Sequence, residues 1–160
     1  MLTLDFGAAE EGLAEYIEPL FSIVASISKV DEGVHLSERI KNLKFSGKVK
    51  VFRTLVQVLA DQYSIDGADV LRRLDTVNEL AEYRNAIIHG WVTVDKQGRP
   101  AFRNKRKVFR SATATDIGRL CKRIEQWFDD MRDSYLGFLD QVRARIRPNF
   151  QAGPPQGRGV

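Results

Sequence analysis

Ile117-Gly-Arg-Leu-Cys-Lys-Arg-Ile-Glu-Gln-Trp-Phe-Asp-Asp-Met-Arg-Asp-Ser-Tyr-Leu-Gly-Phe-Leu-Asp-Gln-Val-Arg-Ala-Arg-Ile146 decides the fold class. Ile117, Leu120, Cys121, Ile124, Trp127, Phe128, Met131, Tyr135, Phe138, Leu139, Val142 and Ile146 return every three or four positions for about eight turns. Charged residues take most of the other positions, which is the pattern of a long amphipathic helix. Ser111-Ala-Thr-Ala-Thr-Asp116 offers N-cap candidates ahead of it. Pro148, which lacks the N–H that a helix interior uses, is expected to end it, leaving the Gly- and Pro-rich residues 148–160 as a flexible tail.

Toward the N-terminus the same period recurs three times. Glu10 to about Val30 carries Leu13, Tyr16, Ile17, Leu20, Phe21, Val24 and Ile27; Lys48 to about Tyr63 carries Val51, Phe52, Leu55, Val56 and Leu59. Ala68 to about Ile88 carries Val70, Leu71, Leu74, Val77, Leu80, Ala81, Ile87 and Ile88, and Gly90 stands where a helix commonly stops in a left-handed cap. Asp31–His35 reads as a break, Leu36–Leu43 as a short helix and Ser64–Gly67 as a turn. Trp91–Val94 and Ala101–Arg103, rich in β-branched and aromatic residues, flank the turn cluster Asp95–Pro100 and read as a β-hairpin. The expectation is one all-α domain over residues 1–147, an antiparallel four-helix bundle with a short β-hairpin inserted before the last long helix.

Composition narrows the chemistry. Cys121 is the only cysteine, which excludes an internal disulfide and a thiolate zinc cluster, and its place in the apolar period marks it as a core thiol. No apolar run approaches the roughly 20 residues of a bilayer span. Met1-Leu-Thr-Leu-Asp-Phe lacks the basic and apolar regions of a secretory signal, so a cytoplasmic protein is expected. Asp61, Asp66, Asp69 and Asp75 are scattered as caps and surface charge, which disfavours a two-metal nuclease. No Gly-rich phosphate loop follows a strand. His35 has no neighbours at metal-ligand spacing and reads as a solvated or capping residue. No metal or cofactor is expected. The net charge of +4 is unevenly spread: acids dominate before residue 20, whereas Lys96, Arg99, Arg103, Lys105, Arg106, Lys107 and Arg110 form a basic segment without an acid. Interleaved with Phe102 and Phe109, this segment has the composition to grip phosphates and stack bases, or to protect an exposed hairpin edge from aggregation.

The chemically pointed stretch is Arg84-Asn85-Ala86-Ile87-Ile88-His89, at the end of the third long helix. Histidine moves protons near neutral pH, and arginine neutralises charge developing on a phosphoryl group. Five positions correspond to about 7.5 Å of rise and roughly 140° of rotation, so the two side chains share no stripe of a regular helix. Both reach one phosphate only if the helix frays at His89. A plainer role is also open: Arg84 pairs with Glu79 or Glu82 while His89 meets the negative end of the helix.

Glu82-Tyr-Arg84-Asn85-Ala-Ile-Ile-His89-Gly90 resembles the HEPN superfamily, all-α domains with an arginine, commonly a polar residue after it, and a histidine four to six positions on. The resemblance implies a metal-independent endoribonuclease. Two protomers pair so that an Arg and a His from each line one groove, and the ribose 2′-hydroxyl attacks the adjacent phosphate to leave a cyclic phosphate. His89 is then the general acid or base, Arg84 the stabiliser of transition-state charge, and Asn85 an orienting amide. A toxin or phage-defence role with a cognate antitoxin is implied in the same way. Tyrosine-modifying antitoxins act two positions after the histidine; Trp91 stands there, so that kind of partner is not expected. The superfamily also holds members that bind nucleic acid or dimerise without cleaving.

Overall fold

The computed structural model describes residues 6–28, 38–103, 108–110 and 114–151, with the side chains of 6–10, 108–110, 114 and 148–151 excepted. Among these residues four long helices share one apolar core, and a small antiparallel sheet follows the third of them. Helix α1 spans Phe6–Ser28, α2 Phe45–Tyr63, α3 Ala68–His89 and α4 Ala114–Gln151. Residues 38–41 form a short helical turn within the predicted Leu36–Leu43 helix. The Asp31–His35 break, with its His35, and residues 152–160 lie outside the described residues.

The apolar stripes read from the sequence are those that meet. Leu13, Ile17 and Leu20 of α1 close with Phe52, Val56 and Leu59 of α2, Val70, Leu74 and Leu80 of α3, and Leu120, Met131 and Phe138 of α4 in one buried cluster. Packing is closest between α1 and α2 and between α3 and α4, weaker between α2 and α3, and thin where α4 meets α2 and α1. There a groove of about 780 Å³ opens, lined by Pro19, Ile23, Leu139, Arg143 and Ile146 among others. Trp127, of the apolar stripe, is 2% exposed, and its indole N–H donates to the Arg73 carbonyl at 2.7 Å. Beside it the Arg73 guanidinium donates to Asp130 at 2.7 Å, which ties α3 to α4, and Arg53 pairs with Asp75 between α2 and α3.

Tyr135 packs against Tyr16 at a ring separation of 4.7 Å and edge-on to Phe52 at 6.1 Å. Burial pushes its phenol up to about 12, so the hydroxyl stays protonated, yet that hydroxyl has no hydrogen-bond partner among the described residues. A buried polar group without a partner is destabilising, so Tyr135→Phe is expected to raise stability by about 1 kcal/mol. A urea midpoint that stays put or falls would show that the hydroxyl is bonded.

Local chemistry sets the element ends. Ser64 closes α2 in the left-handed region at φ 51, its N–H donating to Ala60 O. Asp66 then accepts the Ala68 N–H at 2.8 Å, the capping role expected of it, while Asp69 pairs with Arg72. Gly67 sits between helices: a Cβ there would lie 2.9 Å from Val56 Cγ1 and 3.4 Å from Phe138.

Three expectations need correction and one is extended. Pro148 does not end α4, which runs to Gln151: proline's fixed φ is helical, and the lost N–H bond and the crowding of the Ala144 carbonyl fall in the last turns of the helix. Cys121 is partly exposed rather than buried, because it lies at the edge of the stripe whose centre is Leu120 and Trp127. The expected hairpin is present as β1 (Trp91–Val94) and β2 (Pro100–Arg103), and the basic segment extends it with a third strand, β3 (Val108–Arg110), in the order β1-β2-β3. Gly90 is not left-handed, as the next section describes.

Candidate functional site

Helix α3 carries the Arg84–His89 stretch to its last residue. Ala86 is fully buried and fixes the rotation of the final turn, which leaves Asn85, Ile88 and His89 exposed and Arg84 half-buried. The Arg84 guanidinium donates to the Asn85 side-chain carbonyl at 3.1 Å, so the asparagine steadies the arginine and not the imidazole. The fraying that would let Arg84 and His89 converge does not occur: His89 remains helical, and the Gly90 N–H completes the ladder to Ala86 O at 3.0 Å. The two side chains therefore stay about 7.5 Å apart in rise on different stripes. Any phosphate touched by both within one protomer would lie across the helix end, reached by the length of the guanidinium arm.

Gly90 makes this junction possible by lack of bulk. Its backbone is extended, φ −83 and ψ −179, a conformation open to any residue. A Cβ on it, however, would lie 2.2 Å from Ala86 O and 2.6 Å from Arg103 O, both backbone atoms. The chain turns here from helix into β1 with β2 pressed against the turn. The glycine signal was sound, and its physical cause was room, not φ.

The sheet stands directly on that turn. β1 and β2 pair antiparallel with Trp91 opposite Arg103, Val92 opposite Phe102, Thr93 opposite Ala101 and Val94 opposite Pro100. Opposed residues share a face and successive residues alternate. Ala101 is fully buried and Thr93 half-buried, so that face turns toward the helices, with Trp91 and Arg103 at its rim beside His89. Val92 and Val94, 67% and 64% exposed, lie on the outer face with Phe102. Together with Ile88 at 46% and Trp91 at 51%, they concentrate exposed apolar surface around the end of α3.

The basic segment divides. Lys96 is exposed in the turn and Arg103 on β2. Arg99 is structural: its Nε donates to Asp95 Oδ2 at 2.8 Å and its Nη2 to Gln97 Oε1 at 2.8 Å. Arg110 is in β3, whose backbone alone is described, and Lys105, Arg106 and Lys107 lie outside the described residues. Asp95 also accepts the backbone N–H groups of Gln97 and Arg99, each at 2.9 Å. The Arg99 backbone bond first, helped by the Arg99 and Gln97 donors, holds its carboxyl below the usual carboxylate range. A depressed carboxylate supports the turn above its unfolded value of about 3.9 and ceases to do so as pH falls through the lower folded value. The turn amides of Gln97 and Arg99 are thus expected to keep their NMR shifts from pH 8 to 5 and to move only in acid. Asp95→Ala should collapse their dispersion at every pH; unaltered shifts in that variant would remove Asp95 from the turn.

Among the described residues no group of three or more His, Cys, Asp or Glu side chains could hold a metal, and no helix is long and apolar enough to cross a membrane. Sequence reasoning passed over Ile88 and Trp91 as surface features; the signal available was their place on either side of His89. Comparisons with protein-family models, with curated proteins and with solved structures returned no match.

Proposed function

We propose that the chain is a HEPN-like four-helix domain acting as a homodimeric, metal-independent endoribonuclease, with His89 as general acid or base for 2′-hydroxyl attack and Arg84 neutralising charge on the phosphate. The observation that carries this reading is the placement of the motif. An exposed histidine ends α3, an arginine held by Asn85 lies one turn and more behind it, and exposed cations at Lys96 and Arg103 begin within the next fourteen residues. General acid–base catalysis with a guanidinium beside it cleaves RNA without a metal, because the nucleophile is part of the substrate. Within one protomer Arg84 and His89 occupy different stripes, so a second protomer supplying the complementary pair suits the chemistry. The toxin or defence role, and any antitoxin, rest on the resemblance alone.

The test is incubation of purified protein with a mixed RNA pool in EDTA, followed by analysis of the cut ends. Cleavage that leaves cyclic phosphates supports the reading; intact RNA across many sequences sinks it. Charge reversal at Lys96 and Arg103 is expected to weaken RNA binding and lower the slope of affinity against salt by about one per lost phosphate contact. An unchanged slope would remove the sheet from the RNA path. A second reading, a non-catalytic dimerisation module, is favoured by Val92 and Val94, whose exposed outer face suits a protein partner.

A further inference from the structure

We propose that Trp91 is a base-stacking platform and that the strand it receives is single-stranded RNA laid across the end of α3; this rests on the ribonuclease reading and names the form of its substrate. The chain has two tryptophans, put to opposite uses. Trp127 is 2% exposed with its N–H bonded, whereas Trp91 is 51% exposed at the first position of β1. A half-open indole leaves apolar surface in water that burial would otherwise make favourable. The position needs only a strand former, as Thr93 on the same face illustrates.

What surrounds Trp91 suits a nucleotide. Arg103 is directly across the ladder, exposed and on the same face, and opposed side chains begin about 4.5–5.5 Å apart. A flat apolar ring and a cation are therefore side by side, matching a base and its phosphate. His89 is two residues back, so its Cα lies no more than about 7.6 Å from that of Trp91. A base on the indole thus places the neighbouring phosphate in reach of the imidazole. Val92 and Val94 face the other way and take no part, and Arg99 is committed to Asp95. In a duplex the base faces are covered by their neighbours, so only an unpaired strand can offer one to the indole.

The experiment uses the full chain carrying His89→Ala, which keeps RNA whole, titrated with a twelve-nucleotide single-stranded oligoribonucleotide of mixed sequence and with the same strand annealed to its complement. Tryptophan fluorescence is the readout, with buried Trp127 as constant background. The single strand is expected to quench emission and the duplex to leave it unchanged. Adding Trp91→Phe should abolish the quench while keeping most of the affinity, and Trp91→Ala should weaken single-strand binding by about 5- to 150-fold. Equal affinity of the Ala variant and its parent, with wild type still cutting RNA, overturns the platform and leaves the ribonuclease reading standing. Wild type that neither binds nor cuts overturns both. Sedimentation in which Trp91→Ala converts a dimer to monomers without altered RNA affinity makes Trp91 a protomer contact and also overturns the platform.

Discussion

If the proposed function holds, His89→Ala should lower RNA cleavage by about 10²- to 10⁴-fold while the thermal midpoint moves by little, because a positioned proton-transfer group contributes about that much and the imidazole is exposed. Surface substitutions away from packing usually stay within about 0.5 kcal/mol, and loss of the favourable interaction with the helix end adds about 0.3–1 kcal/mol at most. The two effects are therefore separable in one preparation by cleavage assays in EDTA and a circular-dichroism melt. Arg84→Ala should cost about 10²- to 10³-fold in cleavage by removing a charge partner of the transition state. It should also cost some stability, since the side chain is half-buried and bonded to Asn85. Cleavage surviving in clean His89→Ala protein removes the residue from the chemistry.

Gly90→Ala is expected to be the most damaging single methyl in the described structure. The added carbon would meet two backbone oxygens, Ala86 O and Arg103 O, at 2.2 and 2.6 Å. Neither is the tip of a flexible side chain. Relief requires the last turn of α3 and strand β2 to separate, and overpacking of this kind costs about 1–3 kcal/mol or more. In a chain of this size that lowers the Tm by roughly 2–4 °C per kcal/mol. Cleavage should fall with it, since His89 rides on the displaced turn. Gly98→Ala is the control: its φ is +75 but nothing lies within 4 Å of its Cβ position, so only a backbone term of about 1 kcal/mol applies. If Gly90→Ala melts with wild type while Gly98→Ala does not, the close approach is wrong and backbone angle alone governs these glycines.

Periodicity made the helices legible, because a stripe such as Leu120, Trp127, Met131, Tyr135 and Phe138 has one way to be covered. Ends were less legible. Pro148 reads as a stop, yet α4 carries it within its last two turns and runs on to Gln151. β3 was hidden because Val108–Arg110 is short and lies in a run of positive charge, where composition masks pairing. At the site, the sequence located Arg84, Asn85 and His89 but not their relation. The Arg84–Asn85 bond and the straight final turn depend on Ala86 fixing the rotation and on the Gly90 N–H closing the ladder. Arg99 looked like one phosphate ligand among seven; its commitment to Asp95 depends on the turn that Gly98 permits.

The uneven packing of the helices has a consequence for how the molecule opens. With α1 held mainly by α2, and α3 mainly by α4, the domain is two helical hairpins joined along a thinner seam that runs through the α2–α3 contact and the α1–α4 groove. Amide exchange should then report two cooperative units of different free energy, and native fluctuations should part the seam before either hairpin melts. The final turn of α3 and the sheet belong to the unit braced by Trp127, Arg73 and Asp130, so the motif can remain assembled while the first hairpin breathes.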